Sequence, residues 1–150
     1  RNMIRQMKFA GRHDIGSELG RCAVGHIGQR LKQLNLSLIV PIPLHSIRAR
    51  ERGYDQSLII AQQISRETRI PLRSDLIQRI RNTKPQSHLS DSERLTNLSG
   101  AFVPIRSAQP LPRSVLLVDD VIHTGATARE CISVLQQLGI NKIHVLAIAG

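Results

Sequence analysis

Asp119 and Asp120 are adjacent carboxylates at the end of an apolar run, residues 115–118, and the stretch Thr124-Gly125-Ala126-Thr127 follows shortly after them. A carboxylate pair accepts hydrogen bonds from neighbouring hydroxyls. A Thr/Gly turn that opens a helix offers backbone N–H groups and hydroxyls to an anion. Side by side they suit a sugar phosphate, with the hydroxyls on the acids and the phosphate on the turn. In an open parallel sheet, ligands bind outside the carboxyl ends of the strands. A strand over residues 115–118 would therefore deliver both acids to a crevice instead of the core. A plain strand-to-helix turn with an Asp cap needs neither the second acid nor the Thr-x-x-Thr spacing.

This pattern resembles the motif with which type I phosphoribosyltransferases hold 5-phosphoribosyl 1-pyrophosphate (PRPP). Two further segments carry chemistry. The stretch Pro41-Ile42-Pro43-Leu44-His45, followed by Arg48, Arg50, Arg52 and Gly53, leaves an expected strand end through a proline-bracketed loop. Its backbone amides and arginines would face the same crevice, where a pyrophosphate could sit; a basic loop on a basic protein is the plainer alternative. The segment with Arg81, Thr83, Lys84, Gln86 and His88, and then Arg94 and Asn97, is polar, contains Pro85 and lacks a period. Such a loop could close over a ligand and exclude water, or be merely solvated.

The elements that must position these groups follow from apolar spacing. It predicts a short helix over residues 3–7, ending near Gly11. A long helix follows, carrying Ile15, Leu19, Cys22, Ala23, Ile27 and Leu31 on its apolar face, with Asp14 as its cap. Further helices are expected over 56–67 and 126–138, the latter stopped by Gly139. Strands are expected over 36–40, 76–80, 115–118 and 143–149, with an edge strand over 100–103. Residues 82–98 form a loop long enough to be functional or disordered. Strands alternating with helices imply an α/β fold in one domain, a parallel sheet with both faces covered. Neither the dinucleotide-binding Gly-x-Gly-x-x-Gly nor the ATP-binding Gly-x4-Gly-Lys-Ser/Thr pattern occurs.

Composition narrows the partners. The 150 residues hold 21 bases against 11 acids, a net charge of +10, and 17 of the bases are arginine. Arginine's planar fork matches phosphate oxygens in pairs, which favours polyanions: PRPP, nucleotides or nucleic acid. Phe9, Tyr54 and Phe102 are the only aromatics besides histidine, too few for stacking platforms, so contact with nucleic acid should run through phosphate. Cys22 and Cys131 are far apart and belong to no Cys-x-x-Cys pair. We expect both thiols on apolar helix faces, with His26 capped near Cys22. Free thiols, no secretory segment and no apolar run of membrane length are the marks of a cytoplasmic protein. A start at Arg1 leads us to expect an upstream segment.

Taken together, the segments Pro-x-Pro-Leu-His…Arg-x-Arg-Gly-Tyr-x-Gln, Arg-x-x-Thr-x-x-Gln-x-x-Leu…Arg-x-x-Asn…Ala-Phe and Asp-Asp resemble, in order and across nearly the whole chain, the ComF family, phosphoribosyltransferase-like proteins associated with natural competence. The resemblance implies a type I phosphoribosyltransferase-like fold over residues 1–150, with a flexible loop or hairpin over the site. It implies Asp119 and Asp120 on the ribose hydroxyls, Asp120 as proton acceptor, and Thr124, Gly125, Ala126 and Thr127 on the 5′-phosphate. Pro43, Leu44, His45, Arg48, Arg50 and Arg52 would hold pyrophosphate. Thr83, Lys84, Gln86 and His88 would belong to the flexible loop. Mg²⁺ would be held mainly by PRPP and water, without a dedicated protein site. PRPP is the implied ligand, with single-stranded DNA or the competence machinery as further partners and a homodimer allowed. The family's N-terminal zinc ribbon is absent from this chain, and Asp55 stands where the family more often has Asn. Phosphoribosyl transfer to a nitrogen acceptor, nucleotide salvage outside competence, and non-catalytic single-stranded DNA binding all remain open at this point.

Overall fold

The computed structural model describes residues 13–82, 99–107 and 109–150. The short helix expected over residues 3–7 and the loop residues Thr83, Lys84, Gln86 and His88 lie outside them.

Three strands, β1 (Leu38–Pro41), β4 (Ser114–Val121) and β5 (Lys142–Ala149), form a parallel sheet in the order β1-β4-β5. Leu38 lies opposite Val115, and Ser114 opposite Lys142. On the outer side of β1, Ile39 forms a parallel bridge with Leu72. There the Ile39 N–H donates to the Pro71 carbonyl at 2.8 Å and the Arg73 N–H to the Ile39 carbonyl at 3.0 Å. The sheet is thus one short segment wider than its named strands. β4 is central and buried from Ser114 to Asp119, which explains why residues 115–118 are continuously apolar instead of alternating.

Alternation along the strands divides the core into two layers. Leu38, Val40, Val115 and Leu117 pack with Ala128, Cys131 and Leu135 of α4 (Ala126–Gln137). Ile39, Leu116 and Val118 point the other way, onto α1 (His13–Gln33) and α3 (Gln56–Thr68), where Leu31, Ile60 and Ile64 meet them. The two helices come very close at Gly20. A Cβ there would lie 2.8 Å from the Gln63 Cβ and 3.0 Å from the Ile60 carbonyl oxygen, so the crossing requires glycine.

The strands expected at 76–80 and 100–103 exist as β2 (Ile77–Arg79) and β3 (Phe102–Pro104), but they pair with each other, antiparallel, outside the parallel sheet. Leu76, Ile77, Ala101 and Phe102 cover part of the face that α4 also packs on. Two expectations are corrected. Residues 46–52 are a short helix, α2 (Ser46–Arg52), not a loop. The His45 imidazole caps it by accepting from the Ile47 N–H at 3.3 Å, and Gly53, at φ 78°, closes it. Seven residues with little apolar periodicity hid this helix from a pattern search. Cys22 is exposed on α1, its sulfur 3.8 Å from Glu18 Oε1, whereas Cys131 is buried. The spacing identified a helix but could not say which side of it was covered.

Candidate functional site

Asp119 and Asp120 occupy the carboxyl end of β4, where the sheet leaves its core. Asp119 is 8% exposed. Its Oδ1 accepts from the Ser57 hydroxyl at 3.1 Å and from the Asp120 N–H at 2.9 Å. Burial first, and then the neighbouring charge of Asp120, push its carboxyl up to about 7. Asp120 is half-buried. The two acids therefore differ: Asp119 is held from two sides, and Asp120 lies nearer the surface.

Ser57 reaches Asp119 from the first turn of α3. That turn is fixed by Asp55, whose Oδ1 accepts from the Leu58 N–H at 3.1 Å as a helix cap. The other oxygen, Oδ2, accepts from the Leu44 N–H at 2.8 Å. Asp55 thus ties the segment after β1 to the start of α3, which accounts for an acid here. Burial raises its carboxyl above the ordinary range against the lowering effect of these amides, and Asp120 raises it further. The Leu44 amide, expected to face a pyrophosphate, is directed at this carboxylate. His45 is buried as the α2 cap. Pro43 and Arg48 are half-buried. Arg50 is exposed and turns back along its own helix toward the Ser46 carbonyl, 3.4 Å away. The side chain of Arg52 lies outside the described set.

Five residues beyond Asp120, Gly125 at φ 73° precedes α4, a left-handed position that glycine takes without strain. The Thr124 hydroxyl accepts from the Ala126 N–H at 3.4 Å. Arg129 folds back over the turn, its Nη2 donating to the Thr124 carbonyl at 2.9 Å. The turn thus combines a helix N-terminus with an adjacent guanidinium, the elements of an anion cradle.

Three participants escaped the sequence reading: Arg79, Arg129 and Ser57. Arg79 lies opposite Phe102 in the β2–β3 pair, its guanidinium carbon 5.3 Å from the centre of that ring. Burial lowers its pKa, as does the charge of Arg48, whereas Cys131, Asp119 and Asp55 act in the other direction. It is therefore a half-buried cation within electrostatic reach of the acids. A signal for it was present: Arg79 shares a strand face with the buried Ile77, an arginine at an inward position. Ser57 and Arg129 carried none, since their partners come from distant or non-periodic positions.

The oxygen set suits a hard divalent cation already carried by a phosphorylated ligand. Among the described residues no group of three or more His, Cys, Asp and Glu side chains could hold a metal by itself. No helix among them is long and apolar enough to cross a membrane.

No family model matches the chain. It is 36% identical over 151 residues to Competence protein F of Haemophilus influenzae, covering 98% of this chain and 66% of that protein. It is 32% identical over 149 residues to the DNA utilization protein YhgH of Escherichia coli, covering 95% and 63%. Competence protein ComFC of Bacillus subtilis is 34% identical over 90 residues, 60% of this chain and 34% of that protein. The chain thus spans somewhat under two thirds of the length of the first two. Similarity along nearly its whole length, added to the order of its three motifs, makes the chain a relative of Competence protein F and supports its place in the ComF family.

Proposed function

We propose that this chain is a PRPP-binding, phosphoribosyltransferase-like protein that serves competence and DNA uptake, and that its crevice supports Mg²⁺-dependent phosphoribosyl transfer to a nitrogen acceptor. The observation that carries the reading is the Asp119–Asp120 pair at the carboxyl end of the central strand, beside the Thr124–Thr127 turn that opens α4. The DNA role rests on the names of its relatives.

In this reading Asp120 and Asp119 accept the ribose hydroxyls, with Asp119 fixed by Ser57. The turn at Thr124, Gly125, Ala126 and Thr127 takes the 5′-phosphate. Arg79 and Arg48 offset charge on the pyrophosphate. Mg²⁺, when bound, would be held mainly by the phosphate oxygens and water and would neutralise their charge. In the transfer, the bond between the anomeric carbon and the pyrophosphate oxygen breaks and a nitrogen lone pair forms the new C–N bond. The proton released from nitrogen passes to Asp120. The chain's contribution is positioning and electrostatic stabilisation.

Calorimetric titration with PRPP and Mg²⁺ tests the site, and pyrophosphate release with candidate amines and bases tests turnover. Saturable binding near one equivalent is expected. Asp119→Asn combined with Asp120→Asn should lower affinity at least about 100-fold by removing both carboxyl groups that face the ribose hydroxyls, with the fold retained by circular dichroism. Wild-type affinity in that variant would remove the acids from the site.

A further inference from the structure

The two carboxylate oxygens of Asp55 serve different partners. Capping α3 takes one of them, since Oδ1 accepts from the Leu58 N–H at 3.1 Å. Asn and Ser cap a helix about as well as Asp does, so the cap alone does not call for an acid. The second oxygen, Oδ2, turns away from the helix and accepts from the Leu44 N–H at 2.8 Å, 11 residues back along the chain.

Leu44 supplies the first amide after β1 that the sheet does not use. The Ile42 N–H donates to the Val118 carbonyl at 2.8 Å, and Pro43 has no N–H to give. Pro41, at the end of β1, lies opposite Val118, one residue before Asp119. The Leu44 amide therefore belongs to the same end of the sheet as the acid pair. Leu44 and Asp55 are both half-buried, so the bond between them is partly open to solvent.

The surroundings make this carboxylate costly to keep ionised. Burial raises the Asp55 carboxyl and the charge of Asp120 raises it further, whereas the amides of Leu44, Leu58 and Ser57 act the other way. Arg79 is a cation within electrostatic reach. An N–H that holds a carboxylate oxygen suits a phosphate oxygen equally well, because both are anionic acceptors. Directed along one bond, it serves only one of them at full strength.

We propose that Asp55 sets the affinity of the crevice for pyrophosphate: its Oδ2 occupies the Leu44 amide until a pyrophosphate oxygen displaces it. This rests on the reading of the crevice as a PRPP site and adds a control at its pyrophosphate end. The displaced carboxylate keeps its place as the α3 cap through Oδ1. After transfer, the return of Oδ2 to the amide favours departure of the leaving pyrophosphate. The 5′-phosphate end, at Thr124–Thr127, is untouched by this exchange.

The test is calorimetric titration of the chain with magnesium pyrophosphate, with PRPP and Mg²⁺, and with ribose 5-phosphate. Asp55→Asn keeps a carbonyl oxygen for the Leu58 N–H and can turn its NH2 group, a donor, to where Oδ2 was. Asp55→Ser keeps a helix cap and withdraws the acceptor from Leu44. Either variant should bind magnesium pyrophosphate and PRPP about tenfold more tightly, the scale of one charge-assisted bond no longer contested. Ribose 5-phosphate should bind each variant as it binds wild type, a selectivity that a merely structural Asp55 would not give. Circular dichroism establishes the fold, and one folded variant is enough for the test. The proposal is overturned if folded variants bind pyrophosphate no more tightly than wild type, or if ribose 5-phosphate gains as much. It is equally overturned if pyrophosphate binds neither wild type nor variant. Failure of the PRPP reading shows separately, as wild type and variants that bind PRPP no better than pyrophosphate and do not bind ribose 5-phosphate. A tenfold gain for pyrophosphate would then still assign Asp55 its role.

Discussion

Burial at the end of β4, and then the charge of Asp120 beside it, raise the Asp119 carboxyl against the lowering effect of the two donors on its Oδ1. Its carboxyl titrates near 7 in the folded chain and near 4 in an unfolded one. Between those values the folded state retains a proton that the unfolded state has released. Stability from this group is therefore full below about pH 4 and is lost as pH rises toward 7. Asp119→Asn can keep an acceptor for Ser57 and for the Asp120 amide without the buried charge. Its melting temperature should exceed wild type at pH 8 by several degrees, and the difference should shrink by pH 4.5; a difference independent of pH would show that Asp119 is not the buried titrating group. Arg79 gives a second test at this scale. Arg79→Met keeps a long side chain on Phe102 and removes the cation. PRPP affinity should fall about 10- to 100-fold, the scale of one charge-assisted contact, with thermal stability maintained. Unchanged affinity would limit Arg79 to packing.

Among the elements, α1 and α3 depend on one close contact. In an exposed helix interior, Gly→Ala gains about 1 kcal/mol. At Gly20 the added Cβ would meet the Gln63 Cβ at 2.8 Å and the Ile60 carbonyl oxygen at 3.0 Å, and separating the helices costs more than the propensity returns. Gly20→Ala should therefore destabilise the chain by about 1–2 kcal/mol in urea unfolding; a gain would mean that the crossing is loose. The helices at 56–67 and 126–138 were legible because their apolar residues recur at helical spacing, and β4 because its apolar run is uninterrupted. The pairing of β2 with β3 was not legible. Short apolar segments look alike whether they extend a parallel sheet or pair with each other, and only the fold selects the partner.

For the molecule as a whole, charge is distributed unevenly. Asp55, Asp119 and Asp120 gather at the carboxyl end of the sheet, whereas Arg69, Arg113 and Lys142 mark the amino end. With a net charge of +10, self-repulsion should weaken the folded state at low ionic strength. Raising NaCl from about 20 to 200 mM, which shortens the screening length from roughly 20 Å to below 10 Å, should raise the melting temperature by a few degrees. A flat response would mean that the bases are neutralised locally, beyond the exposed pairs of Arg21 with Glu18 and Arg73 with Asp75.

The sequence by itself determined the α/β class, the central strand, the acids at its end and the turn that follows. These depend on local pattern: an apolar run, a period, a glycine where the backbone turns left-handed. Tertiary structure decided the rest. It placed Ser57 on Asp119 across 62 residues, tied Asp55 to Leu44, and brought Arg79 within electrostatic reach of the acids. It also turned residues 46–52 into a helix and exposed Cys22. The physical reason is that burial and partner choice belong to surfaces that meet only after the elements pack. Local spacing specifies which face a residue occupies, not what will cover it.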